Sequence, residues 1–188
     1  MQNKKNFYIN GQWVSPIEPR SFAVINPATE EPCAEISLGG KKDVDAAVTS
    51  AKKAFETWGF TTKEERLNLF EKLYDIYKKN WDQMAKTISL EMGAPIDFST
   101  ELQTKTGASH IKSFKNILKN FKFEKTLDEE KNQTILYEPK GVCALITPWN
   151  WPINQVNLKV IPALAAGCTV VLKPSEIAPL SSMLLAEM

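Results

Sequence analysis

Histidine is almost missing from this chain of 188 residues, where His110 stands alone. Without a second imidazole, a histidine-ligated zinc site or a Ser/His or Cys/His catalytic couple has very little to draw on. Cysteine is nearly as scarce. The three cysteines, at positions 33, 143 and 168, are an odd count with neither metal-ligand nor disulfide spacing, so no disulfide framework and no metal site is expected. Excess charge is absent too: 23 Lys+Arg against 22 Asp+Glu leave a net charge of +1. A nucleic-acid binder of this size carries a basic excess, so no nucleic-acid partner is expected. No apolar run reaches the roughly 18 to 20 residues of a membrane span. Met1 to Lys5 leads into polar Asn6 rather than into an apolar signal segment, which argues against a membrane partner and for a cytoplasmic protein. No G-x-G-x-x-G follows an apolar strand, so an ordinary Rossmann pyrophosphate turn is not supported. What remains, 43% hydrophobic and 24% charged residues, is globular in character, and the length suits one domain or one domain with an appendage.

Local patterns divide the chain. Phe7 to Val14 alternates around Asn10-Gly11, a dipeptide that supplies the positive φ angles of a type I′ hairpin turn. After a loop with Pro16 and Pro19, Phe22 to Ile25 reads as a strand ended by the turn Asn26-Pro27-Ala28-Thr29. Helical spacing follows in Val44, Ala47, Val48, Ala51, Ala54, Phe55 and Trp58, then in Leu67, Phe70, Tyr74, Tyr77, Trp81, Met84 and Ile88. Thr62 with Glu65 predicts a capping box, Asn80 with Gln83 a second cap that splits the run in two, and Gly93 and Pro95 its end. A third helical stretch is expected from Pro95 to Phe121. The segments 121–126 and 133–138 flank the charged turn Asp128, Glu129, Glu130, Lys131 and predict a solvent-facing hairpin.

The final third reads as a βαβ unit. Val142 to Ile146 is a continuous apolar run of strand length, as in strands of a parallel sheet buried on both faces. A Pro-bracketed loop, Thr147-Pro148-Trp149-Asn150-Trp151-Pro152, leads to a helix over 153–166, a second buried strand over 168–172, and a helix starting near Pro179. Ligands of open parallel sheets bind at the carboxyl ends of the strands, and both unusual loops fall there. In the first, the Asn150 carboxamide is either an N–H donor aimed at a developing oxyanion or the cap of the following helix. In the second, Lys173 and Glu176 either hold a ribose or form a surface ion pair. A carboxylate on ribose hydroxyls disfavours a 2′-phosphate, which tilts the choice toward NAD over NADP.

The same residues carry a resemblance. Tyr8-Ile9-Asn10-Gly11-Gln12-Trp13-Val14, Ile25-Asn26-Pro27-Ala28-Thr29, Glu138-Pro139-Lys140-Gly141-Val142, the loop 148–152, Pro162-Ala163-Leu164-Ala165-Ala166-Gly167 and Lys173-Pro174-Ser175-Glu176 form an ordered string. The chain thereby resembles the N-terminal portion of the aldehyde dehydrogenase superfamily, nearly end to end. The resemblance implies an α/β fold: part of a Rossmann-like parallel sheet, with N-terminal strands and helices and a protruding hairpin. It also implies NAD(P)-dependent oxidation of an aldehyde to a carboxylic acid, in which a thiolate attacks the aldehyde, hydride leaves the thiohemiacetal, and water hydrolyses the thioester. Asn150 matches the side-chain donor to the oxyanion. Ile146, Thr147, Pro148 and Trp149 match the stretch lining the cofactor, Lys173 and Glu176 match the pair on the adenosine ribose, and Ser175 lies beside them. Lys159 matches a lysine of a proton relay in some members, and is equally read as an ordinary helix-face lysine.

The family's nucleophilic cysteine and general-base glutamate are expected beyond Met188, so the chain alone is expected to be inactive. Cys33, Cys143 and Cys168 read as small apolar residues, and Glu91, Glu138 and Glu176 match no catalytic carboxylate. By resemblance, 1–120 forms the strands and helical layer of the cofactor domain, 121–140 the hairpin of an oligomerisation arm, and 141–188 its first βαβ unit. The expected partners are a small-molecule aldehyde and further copies of the chain in a homodimer or homotetramer. The competing expectation is a non-catalytic nucleotide-binding or subunit-interaction protein derived from the same family.

Overall fold

The computed structural model describes residues 1–128, 130 and 132–188. The N-terminal strands are β1 (Gln2–Lys4), β2 (Phe7–Ile9), β3 (Gln12–Val14), β4 (Ser21–Asn26) and β5 (Glu31–Ser37). β2 and β3 pair antiparallel, and Asn10 and Gly11 between them both have positive φ, 54° and 73°, as the type I′ turn requires. A separate sheet has the order β1-β5-β4, with β1 parallel to β5. β1 is three polar residues without alternation, and β5 contains Pro32, so neither shows a strand pattern in sequence. Pro32 is tolerated because it faces Ile25 at the register shift of β4, where the ladder is already irregular.

The helices are α1 (Lys41–Trp58), α2 (Lys63–Lys79), α3 (Trp81–Met92), α4 (Ile96–Phe98), α5 (Thr104–Asn120), α6 (Pro152–Ala165) and α7 (Leu180–Glu187). The capping box of α2 is formed: Glu65 N–H donates to Thr62 Oγ1 at 3.2 Å, and Thr62 N–H donates to Glu65 Oε2 at 2.7 Å. The break between α2 and α3 falls at Asn80 as expected, but for a different reason. The Asn80 side chain donates to the Ile76 carbonyl at 2.9 Å, closing α2 instead of capping α3. The stretch after Pro95 is not one regular helix. A π-helical turn at Ser99–Gln103 separates α4 from α5 and turns the polar Ser99, Gln103 and Thr104 into the interior. The core gathers Phe70, Tyr77, Met84 and Ile88 of α2 and α3 with Ala108, Ile111 and Leu118 of α5 and Ile153 and Ile161 of α6.

The hairpin consists of β6 (Glu124–Asp128) and β7 (Gln133–Leu136), with Leu127 and Leu136 66% and 60% exposed. Of its expected charged turn, Glu129 and Lys131 lie outside the described residues. The βαβ unit is formed by β8 (Val142–Ile146), α6 and β9 (Thr169–Lys173), paired in parallel from Val142↔Thr169 to Ile146↔Lys173. Both α1 and α6 pack against it, and Thr169 Oγ1 donates to the Ala51 carbonyl of α1 at 2.8 Å. The expected burial on both faces is corrected: most β8 and β9 residues are half-buried and Ala144 and Ile146 are exposed. Among the described residues only two strands pair here, so each keeps an open edge and the helices cover the sheet incompletely.

Two buried charged groups tie distant segments together. Arg66 donates to Thr61 Oγ1 and the Thr61 carbonyl, both at 2.9 Å, and to the Ala165 carbonyl at 3.3 Å, joining the α1–α2 turn to the exit of α6. Glu91 on α3, only 1% exposed, accepts from the backbone N–H groups of Leu180 and of Ser181, the latter at 3.1 Å. Burial pushes the Glu91 carboxyl up from the ordinary 4.5 to about 7 against the opposing pull of these donors, and its charge also helps to raise the neighbouring Cys33 thiol. Between those two values the folded chain binds more protons than the unfolded chain, so this group's contribution to stability falls as pH rises through that window. The thermal midpoint of the wild type should therefore drop relative to that of Glu91→Gln between about pH 4.5 and pH 7. Thermal melts across that range check it, and a gap that does not change with pH contradicts it.

Candidate functional site

The parallel register sets the two strand ends side by side. Ile146, the last residue of β8, pairs with Lys173, the last of β9, and Thr147 N–H donates to the Lys173 carbonyl at 3.3 Å. The loops 147–151 and 174–179 therefore leave the same end of the sheet, where open α/β sheets bind ligands. Ile146 is 73% exposed and Trp149 of the following loop is exposed too, so this end of the sheet carries uncovered apolar surface. Thr147 is buried, and its hydroxyl has no hydrogen-bond partner among the described residues. Such an orphaned hydroxyl is a ready contact for a polar ligand or a bridging water.

Asn150 is exposed, and among the described residues its carboxamide has no hydrogen-bond partner. It is not the cap of α6. That helix starts at Pro152 with Trp151 in the N-cap position, and Trp151 contributes its carbonyl to Gln155 N–H at 2.9 Å without any side-chain cap bond. Pro at the first helical position fits there because its missing N–H would have no intrahelical partner. Trp151 packs edge-on against Phe98 at a centroid separation of 5.5 Å, which steadies the loop from the α4 side. Asn150 is thus left with both of its N–H donors available on a loop stiffened by Pro148 and Pro152.

Lys173 and Glu176 form an ion pair of 2.6 Å with side chains 61% and 40% exposed. The Lys173 ammonium, followed by the backbone N–H of Glu176, holds the Glu176 carboxyl below the usual carboxylate range. An exposed pair of this kind contributes about 0 to 1 kcal/mol to stability. Its value is geometric: it presents one cationic donor and one anionic acceptor together. Ser175 turns inward within the loop, its Oγ accepting from Ile177 N–H at 3.3 Å. Lys159 stands apart on α6, where its ammonium donates to Gln155 Oε1 at 3.3 Å, and among the described residues no hydrogen bond or ion pair joins it to either loop.

Neither Cys33 nor Cys143 is activated. Cys33 and Cys143 are half-buried with thiols raised chiefly by burial, and Cys168 is buried. A thiol above its ordinary pKa is a poor nucleophile at neutral pH. His110 donates from Nε2 to Asn154 Oδ1 at 2.7 Å and stacks on Phe114, which ties α5 to the start of α6. The feature that local sequence patterns do not reveal is Glu91. A carboxylate in register with Met84 and Ile88 on the apolar face of α3 is the signal that marks it.

A family model described as "Aldehyde dehydrogenase family" matches residues 13–188. A 3-succinoylsemialdehyde-pyridine dehydrogenase of a Pseudomonas species is 49% identical over 187 residues, covering 99% of this chain and 39% of that protein. The crystal structure of an aldehyde dehydrogenase from Bartonella henselae matches with a TM-score of 0.97 at 58% identity, covering 100% of this chain and 40% of the other. Aldehyde dehydrogenase C of Pseudomonas syringae, a cysteine-to-alanine mutant solved with NAD+ and octanal, matches with a TM-score of 0.94 at 44% identity over 97% of this chain and 37% of its own. The chain spans 39% of the length of the curated relatives it matches. With 176 consecutive positions matched by the family model and the βαβ unit built as the resemblance implied, the chain belongs to the aldehyde dehydrogenase family.

Proposed function

We propose that the two strand-end loops form part of an NAD site in an enzyme that oxidises an aldehyde to a carboxylic acid, with Asn150 as the oxyanion donor. The carrying observation is the register that sets Ile146 against Lys173 and so brings both loops to one edge. The polar groups suit the dinucleotide. Glu176 can accept from both hydroxyls of a ribose, Lys173 can donate to one of them, and Thr147 offers a hydroxyl without a protein partner. Ile146, Pro148 and Trp149 supply apolar and aromatic surface to the bound group, and Ser175 orders the second loop. When bound, the dinucleotide supplies the hydride acceptor. Asn150 donates to the oxygen that becomes negatively charged, an interaction strongest in the transition state. Lys159 is the candidate for proton relay, with Gln155 as its partner in the resting arrangement.

On this reading the family's nucleophilic cysteine and general-base glutamate come from sequence beyond Met188, and the 188 residues alone do not turn over an aldehyde. The NAD+ complex of the Pseudomonas syringae relative supports the choice of cofactor class. We assign residues 1–120 and 141–188 to the cofactor domain and 121–140 to an arm that joins copies of the enzyme into a dimer or tetramer. The exposed Leu127 and Leu136 of the hairpin support that assignment. Cytoplasmic residence is supported by three free cysteines, two of them half-buried and none paired. No helix among the described residues is long and apolar enough to cross a membrane.

Titration with NAD+ and NADP+ tests the reading. The ionised Glu176 repels a 2′-phosphate, so the wild type should bind NAD+ more tightly. Glu176→Gln removes that charge and frees Lys173, and should shift the NADP+/NAD+ affinity ratio toward NADP+ by about 3- to 10-fold at low salt. An unchanged ratio, or a wild type that prefers NADP+, contradicts the assignment.

A further inference from the structure

The loop that carries Ser175 and Glu176 is fixed at both ends by groups outside it. Its near end is held by the β8–β9 ladder and by Thr147 N–H on the Lys173 carbonyl, at 3.3 Å. Its far end is the start of α7, and this helix has no cap of its own. Pro179 occupies the N-cap position, and no side chain within the loop accepts from the first N–H groups. The first N–H groups of a helix have no intrahelical acceptor and need one from elsewhere. Here the acceptor is Glu91, which bonds the N–H groups of both Leu180 and Ser181 from 89 and 90 residues away. Glu91 is rigidly placed because α3 is packed through Met84, Ala85 and Ile88, all buried. Ala178, Pro179 and Leu180 are buried around the cap, so water has little access to replace it.

We infer that Glu91 is a positioning residue for the proposed dinucleotide site: by capping α7 from α3, it fixes the far end of the loop and so sets where Glu176 stands relative to Lys173. The inference rests on the reading of the two loops as the NAD site. Six residues, 174–179, link the two fixed ends. With both ends held, the loop has few conformations to lose on binding, whereas releasing one end adds conformational freedom that the ligand must then remove. Glu91 itself touches no ligand. Its carboxyl oxygen serves as acceptor, and a carboxamide oxygen at the same place can do the same.

Calorimetric titration of NAD+ into the wild type, Glu91→Ala, Glu91→Gln, Glu176→Ala and the double variant Glu91→Ala/Glu176→Ala tests the inference, with amide hydrogen exchange at Leu180 and Ser181 followed in parallel. Glu91→Ala should weaken NAD+ binding by about tenfold and speed exchange at both amides, while Glu91→Gln should recover most of the affinity. Because Glu91 acts through Glu176, its loss in the Glu176→Ala background should cost less than about twofold. Wild-type affinity in Glu91→Ala despite faster exchange overturns the inference, and so does an equal loss in both backgrounds, which is the mark of a merely structural role. Should Glu91→Ala fail to fold, Glu91→Asp keeps the carboxyl group and withdraws the acceptor by one methylene, and the same background comparison applies. Failure of the wild type to bind NAD+ at all is a separate outcome that removes the site reading and the inference with it.

Discussion

Replacing Asn150 by alanine is expected to lower kcat by about 10² to 10³, equivalent to roughly 3 to 4 kcal/mol of transition-state stabilisation, in an enzyme form that turns over aldehyde. NAD+ affinity and thermal midpoint should change little. The asymmetry follows from where the side chain stands. Asn150 is exposed, bonds no other described residue and does not cap α6, so the fold loses nothing when the carboxamide goes. On the proposed reading, only the developing oxyanion loses a donor. Steady-state kinetics combined with NAD+ titration and thermal melting separates the two roles. A variant that melts earlier by the margin of a lost helix cap, yet turns over normally, would show that Asn150 serves the fold and not the chemistry.

Gly167→Ala is expected to cost about 3 to 5 kcal/mol of stability. Two independent costs coincide there. Gly167 has φ +86°, a conformation that a residue with a Cβ adopts only under strain. A Cβ would also stand 2.5 Å from Arg66 Nη2 and 2.7 Å from its Cζ. The guanidinium cannot swing away freely, since it is buried and donates to the carbonyls of Thr61 and Ala165. Displacing it leaves a buried cation short of its acceptors, which is expensive because no ion pair to Arg66 forms among the described residues. Denaturant unfolding of the wild type, Gly167→Ala, Arg66→Ala and the double variant measures this. The double variant should lose less than the sum of the single losses because the collision has been removed. Strict additivity, or a loss below about 1 kcal/mol for Gly167→Ala, contradicts the account.

The features legible in the sequence are those whose causes lie close together along the chain. The Asn10-Gly11 turn, the Thr62/Glu65 capping box and the apolar runs of β8 and β9 each state their structure within a few residues. The loops at 147–151 and 173–176 were legible as a candidate site for the same reason: each follows an apolar strand directly. What stayed hidden depends on partners far away. β1 forms because β5 offers an edge 32 residues on, where Gln2 meets Ala34, and nothing in the three residues themselves demands a strand. The half-exposure of β8 and β9 reflects how few strands pair there, which strand composition does not encode. The π-helical turn before α5 interrupts an otherwise helical pattern in order to bury Ser99, Gln103 and Thr104. Arg66 and Glu91 act on backbone groups 99 and 89 residues away, and their identities alone mark only charged residues placed on helix faces that face inward.

On the proposed reading the ends of β8 and β9 together receive the dinucleotide. Hydrogen–deuterium exchange of the protein with and without NAD+ tests it most directly. Bound NAD+ should slow exchange in peptides containing Ile146 to Asn150 and Lys173 to Ser181 and leave the hairpin 124–136 unchanged. Protection confined to other segments, or none at a saturating concentration of NAD+, would contradict it.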